Sequence, residues 1–364
     1  MILLSKAQCS ALRGIAIVGI FMHNYLHWLG PMVKENEYQF FQHNVDRMVT
    51  ELLSFDLSTL IYNLFSFFGH YGVPVFLFLS GYGLVKKYEN TLDETLTQRN
   101  ADATKRTCGA TKTWNFLRKH FMKLFPMMLL GFVVFAMVDW MTPGRHHWTW
   151  VDILAQLTMT INLLPDPDHI IWPGPYWFFG LMMQLYLIYI LLLHRRHWGW
   201  TVALMVVCTV LQALCWNDPE GEVLNRLRYN CIGGMLPFGI GLLMARFEGK
   251  MKNCSNATFL VAFLLSVLLI LSLSLNFWGW LFVPAFIISA HVAFVRILPE
   301  LVMQPLVWLG ALSAAIFVAH PVVRKIFIPI SRHGDILDGL VMYIVATILL
   351  SMVFRLVIRK LQEN

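Results

Sequence analysis

ALRGIAIVGIFMHNYLHWLG, residues 11–30, is the stretch on which the reading of this chain turns. An apolar run of about 20 residues is long enough to cross a bilayer as a helix. This one carries Arg13 near one end and His23, Asn24 and His27 near the other. Ionisable groups inside a spanning helix cost free energy, so they tend to face a protein-lined cavity and to have a task there. The stretch therefore points to a histidine doing proton-transfer chemistry in a membrane-embedded active site.

The rest of the composition agrees with a membrane setting. Of 364 residues, 57% are hydrophobic and 13% charged, against roughly 25% charged in a soluble domain. The 13 Trp and 11 Tyr suit rings seated at the membrane–water boundary. A net charge of +7 does not indicate nucleic-acid binding, because the basic residues fall in short loops between apolar runs. The six cysteines lie far apart, with no metal-ligand spacing and no disulfide framework. They read as small apolar residues, with Cys9 or Cys108 as exposed thiols. Lacking a convincing cleavage site, the first run is expected to be retained.

Windows of spanning length fall near 11–30, 62–85, 116–138, 176–193, 199–216, 229–246, 257–275, 279–296, 303–326 and 339–357. The expected fold is thus an all-α polytopic membrane protein of about ten transmembrane helices, forming a single domain over residues 1–364. The seventh and eighth runs should form a tight hairpin around Asn276–Gly279. Residues 150–164 are short for a span and interrupted by Asp152 and Gln156, which suggests an interfacial or re-entrant helix in the outer loop, about 139–175. With the N-terminus inside, 20 Lys and Arg lie on the inner side and 8 on the outer. That bias follows the positive-inside rule and places both termini in the cytoplasm. The inner loop about 86–114 is polar and expected to be mobile.

On a straight helix His23 lies about 15 Å from Arg13, and His27 shares the His23 face. Histidine has the pKa to take a proton from a hydroxyl at neutral pH and return it. His27 is either an alternative base or an interfacial anchor beside Trp28. In the second run, GHYGVPVFLFLSGYGLVKK (69–87), Gly69, Gly72, Gly81 and Gly83 permit close packing, and Ser80 and Tyr82 fall near its inner end. The third run opens with FLRKHFMKLFP (116–126). There Arg118, Lys119 and Lys123, at a helix N-terminus, read either as a phosphate site or as ordinary membrane anchoring. Trp177 and Gln184 begin and interrupt the fourth run. Ser313 and His320 lie seven residues apart on one face of the ninth, with Pro321 following; His320 reads as a second site histidine or, preferably, an interfacial one.

Taken together, LRGIAI with its following histidine, GVPVFLFLSGYGL, FLRKHFMKLFP, PYWFFGLMMQLYLIY and LGALSAAIFVAHPVV resemble, in order, the acyltransferase-3 family of integral-membrane acyltransferases. The resemblance runs from residue 12 to about 323. It implies a membrane O-acyltransferase that takes an acyl group, usually acetyl from acetyl-CoA, in the cytoplasm. The acceptor would be a hydroxyl of a cell-surface or exported glycan or lipid-linked sugar, at the inner membrane among membrane lipid, with no nucleic acid and no metal. Arg13 and His23 would stand at the essential first-span positions, and Arg118, Lys119 and Lys123 at the CoA phosphates. Asn24, Ser80, Tyr82, Trp177, Gln184, Ser313 and His320 would line the substrate channel. Nine residues separate Arg13 from His23 where the family commonly has ten, so Asn24 fills the usual histidine place. Met182 and Met183 stand where many members carry glutamates, so no carboxylate of that run can assist the histidine. A glycan or acyl transporter without chemistry is the alternative, and a non-catalytic membrane subunit a third.

Overall fold

The first helix starts where Ser5 and Gln8 form a reciprocal capping box, each side chain bonding the other's backbone N–H, at 3.1 and 3.0 Å. The computed structural model describes residues 4–89, 109–250 and 254–363. Its helices are α1 (Lys6–Leu26), α2 (Gln42–Ser54), α3 (Leu57–Phe68), α4 (Gly72–Tyr88), α5 (Gly109–Met141), α6 (Trp150–Leu157), α7 (Pro167–Ile170) and α8 (Trp177–Ile188). They continue as α9 (Trp198–Ala213), α10 (Glu222–Tyr229), α11 (Cys231–Phe247), α12 (Asn256–Leu273), α13 (Phe277–Trp280), α14 (Val283–Ile297), α15 (Glu300–Arg332) and α16 (Ile336–Glu363). No strand occurs among the described residues.

All ten apolar runs are helical. Seven are long and apolar enough to cross a membrane, and the bent pair α10–α11 makes an eighth. The remaining two, α9 and α14, are apolar but only 16 and 15 residues long. The chain is a multi-pass, all-helical membrane protein.

Burial sorts the helices into a centre and a rim. In α1 and α15, 61% and 67% of the apolar window is buried inside the protein, against 11% in α12 and 22% in α16. The rim helices turn Leu, Val and Met outward, as lipid contact requires, while α1 packs along α15 at the centre. The second run is not one straight helix. It breaks after α3 into a 3-10 turn, Gly69–Tyr71, before α4 resumes. A side chain at Gly69 would lie 2.5 Å from the Gly19 carbonyl oxygen and 2.7 Å from the His23 Cβ, so the close approach of this turn to α1 requires glycine.

The hairpin at 276–279 forms as expected, with α12 against α14 and Ser266 donating to Ser289 at 2.8 Å. Residues 150–164 give the short helix α6, with Trp150, Val151 and Leu154 exposed, and then a 3-10 turn at Ile161–Leu163. Cys9 is half-buried rather than exposed, whereas Cys254 is the exposed cysteine among the described residues. Cys108 and most of the loop 86–114 lie outside the described residues.

Gln184 finds its partners at the break between α10 and α11. Its Nε2 donates to Asn230 Oδ1 at 2.7 Å, and its Oε1 accepts from the Cys231 N–H at 2.8 Å. A helix start inside a membrane protein leaves N–H groups that must be satisfied locally. Gln184→Leu is therefore expected to destabilise the protein by about 1–3 kcal/mol. Thermal unfolding of the purified variant measures this; an unchanged midpoint would refute the assignment.

Candidate functional site

A cavity of about 300 Å³ opens beside the Leu26 end of α1. Its walls come from α1, the loop 31–41, the 3-10 turn, the segment 168–178, the end of α10 and the middle of α15. His23, Asn24, His27 and Trp177 all line it.

His23 is buried, and its Nδ1 lies 2.8 Å from the Ser66 carbonyl oxygen in the last turn of α3. His27 Nδ1 likewise lies 2.8 Å from the His23 carbonyl oxygen. A carbonyl can only accept, so each Nδ1 carries the proton and each neutral ring keeps its lone pair on Nε2. The two rings stack with centroids 4.5 Å apart, and His70 meets His23 edge-on at 5.4 Å. Both ring nitrogens of His70 are buried without a partner.

The carboxylates absent from the fourth run arrive from the loop after α1. Glu37 Oε2 faces His23 Nε2 at 3.9 Å, and Glu35 lines the same cavity. The loop holding them is fixed by hydrogen bonds. Asn36 is linked both ways to the Phe41 backbone at 3.2 Å, Asn44 donates to the Glu35 carbonyl at 3.0 Å, and Trp280 donates to the Asn36 carbonyl at 2.8 Å. Burial, followed by the charge of Glu35, pushes the Glu37 carboxyl well above the usual range. Burial pushes the Glu35 carboxyl upward, and the His27 and His23 rings when protonated, a backbone N–H and Lys34 pull it below its ordinary value.

Aromatic rings form much of the wall. Tyr38 stacks on Tyr229 with centroids 3.8 Å apart, and Trp177 stands edge-on to both at 5.4 and 5.7 Å. Tyr229 is held by its hydroxyl donating to Asp168 at 2.7 Å. Arg324, from α15, is the one arginine among the described lining residues. It donates to the Asn24 carbonyl at 3.1 Å and lies over the Trp28 ring at 5.1 Å.

The other expected residues lie elsewhere. Arg13 is at the opposite end of α1, about 15 Å along the helix from His23, where its field and that of Lys87 reach Lys123. It therefore lies out of reach of His23, whereas Arg324 lines the same cavity as that histidine. Arg118, Lys119 and Lys123 are exposed on α5 at the Arg13 end. Because α5 begins at Gly109, they lie two or more turns inside the helix rather than at its N-terminus, and the helix dipole does not assist them. Ser80 and Tyr82 do not line the cavity; the Tyr82 hydroxyl donates to Glu248 at 2.9 Å, beside Lys86. Gln184 serves the α10–α11 break, and Ser313 donates to the Gly310 carbonyl within its own helix at 2.8 Å. His320 is fully buried in α15 rather than interfacial, with Nδ1 at 3.0 Å from the Ile316 carbonyl oxygen and Nε2 unpartnered.

Sequence reading missed Glu35, Glu37, His70 and Arg324. The signal for the glutamates was the charged cluster KENE, residues 34–37, directly after the first run. His70 sits inside a glycine-rich segment that reads as packing, and Arg324, at the end of the ninth run, reads only as one of the outer-side basic residues.

No curated protein and no solved structure matches the chain. The acyltransferase domain family matches residues 9–356, nearly its whole length. With a buried histidine facing a cavity between membrane helices, and a family match of that extent, the chain belongs to the acyltransferase-3 family of membrane acyltransferases.

Proposed function

We propose that the protein is an O-acyltransferase of the inner membrane, with both termini cytoplasmic, that moves acetyl from cytoplasmic acetyl-CoA to a hydroxyl of a cell-surface or exported glycan. The observation carrying this reading is His23, whose Nε2 lone pair faces the cavity while Ser66 fixes the other ring nitrogen. In the reaction, Nε2 accepts the proton of the acceptor hydroxyl as its oxygen attacks the thioester carbonyl carbon. Glu37 Oε2 lies 3.9 Å from Nε2, close enough for one hydroxyl oxygen to bridge the two groups from the cavity side. Arg324 faces the charge that develops on the carbonyl oxygen. Collapse of the tetrahedral intermediate breaks the carbon–sulfur bond, and the imidazolium returns its proton to the CoA thiolate.

The walls support a sugar as acceptor. Tyr38, Trp177 and Tyr229 offer flat apolar faces for a pyranose ring, and Glu35, Glu37, Asn24 and Gln39 offer hydrogen-bonding partners for hydroxyls. At the other end of α1, Arg118, Lys119 and Lys123 hold the CoA phosphates, and Arg13 orients the arm that reaches toward the cavity.

Release of free CoA thiol from acetyl-CoA by the purified protein, dependent on a glycan acceptor, tests the reading. A transporter or a non-catalytic subunit would release none. The double variant Arg118→Gln, Lys119→Gln is expected to raise the apparent acetyl-CoA KM about three- to tenfold, since exposed charge contacts are each worth up to about 1 kcal/mol. An unchanged KM would remove the phosphate role from these residues.

A further inference from the structure

We propose that the cavity also binds a divalent transition-metal ion of the zinc class through His23 Nε2, His27 Nε2 and the Glu35 carboxylate, and that metal binding and acyl transfer exclude each other. The exclusion rests on the base role of His23; the metal site does not.

The donor set suits such an ion in type and in placement. Two histidines at i and i+4 present their rings on one helix face, the spacing by which a helix supplies paired imidazoles to zinc. One ligand atom from each of the three residues falls within 4.8 Å of the others. Tetrahedral coordination at bond lengths near 2.1 Å needs these atoms roughly 3.4 Å apart, so side-chain rotations that draw the donors up to about 1.4 Å closer complete the site.

Both histidines are already oriented as metal ligands are. Each Nδ1–H is committed to a backbone carbonyl at 2.8 Å, the outer contact that fixes tautomer and leaves Nε2 as donor atom. Glu35 Oε2 is buried without any hydrogen-bond partner, so one oxygen of the carboxylate beside these rings is unsatisfied. A cation satisfies it. Three protein ligands leave a fourth position toward the cavity, for water or for Glu37, whose Oε2 is 3.9 Å from His23 Nε2. Once Nε2 donates its lone pair to a metal, it cannot accept the acceptor's proton.

The test uses full-length protein without a histidine tag, stripped with chelator and titrated with cobalt(II). One equivalent should bind with the visible absorption of tetrahedral cobalt and be displaced by zinc. Glu35→Gln, which keeps the side-chain shape, and His27→Ala should each weaken binding at least tenfold. Zinc should inhibit acyl transfer by the wild-type protein, and chelator should restore it. Absence of stoichiometric binding at micromolar cobalt, or binding unchanged in both variants, overturns the site. Activation by zinc overturns the exclusion. Should His23→Ala lose the cobalt spectrum yet keep acyl transfer, the base assignment fails while the metal site stands.

Discussion

Replacing His23 with alanine is expected to lower acyl transfer by about 10²–10⁴-fold, the range general-base catalysis contributes, while the protein still folds. His23 is the histidine whose free Nε2 lies opposite Glu37, and its ring is oriented by a carbonyl from another helix. His27 lines the same cavity one turn further along, but its Nδ1 is tied only to its own helix. His27→Ala should therefore have the smaller effect. Rates of CoA release for the two variants, compared at saturating acetyl-CoA, settle the assignment. Full activity in His23→Ala together with loss in His27→Ala would move the base by one turn.

Gly310→Val is expected to produce the largest loss of stability, at or beyond the roughly 1–3 kcal/mol typical of overpacked sites. A Cβ at Gly310 would fall on the Ser10 carbonyl oxygen, and one at Gly14 on the carbonyl oxygen of Leu306. The obstruction in both cases is backbone, which cannot rotate away as a side chain can. Separating α1 from α15 would also move Arg324 from the cavity that α1 helps to form. A monodisperse, fully active Gly310→Val protein with an unshifted unfolding midpoint would show that the two helices have slack.

Much of this was legible in the residues. The ten apolar runs became helices because a bilayer leaves a chain little choice about where its backbone hydrogen bonds go. Arg13 and His23 stood out because charge in a span is costly. What the sequence could not show was the partner of each polar group. Gln184 needed one, but only the structure reveals the break between α10 and α11 that it satisfies. Arg13 and His23 share one helix, and its rise of about 15 Å between them is readable from the sequence. Glu35 and Glu37 lie outside any run, so a search for carboxylates within the spans passed over them.

The interruption at Gly69–Tyr71 has a consequence for the reliability of the site. Ending α3 there leaves its last carbonyls without partners further along the helix. One of these, on Ser66, receives the His23 ring. Ser66 also reaches the other way, its hydroxyl donating to the Val33 carbonyl at 2.6 Å, on the strand of chain leading to Glu35 and Glu37. A single residue, contributing no wall to the cavity, thus keeps the His23 ring and the acidic loop in mutual alignment. The alignment on which the proposed chemistry rests depends on a helix that stops early.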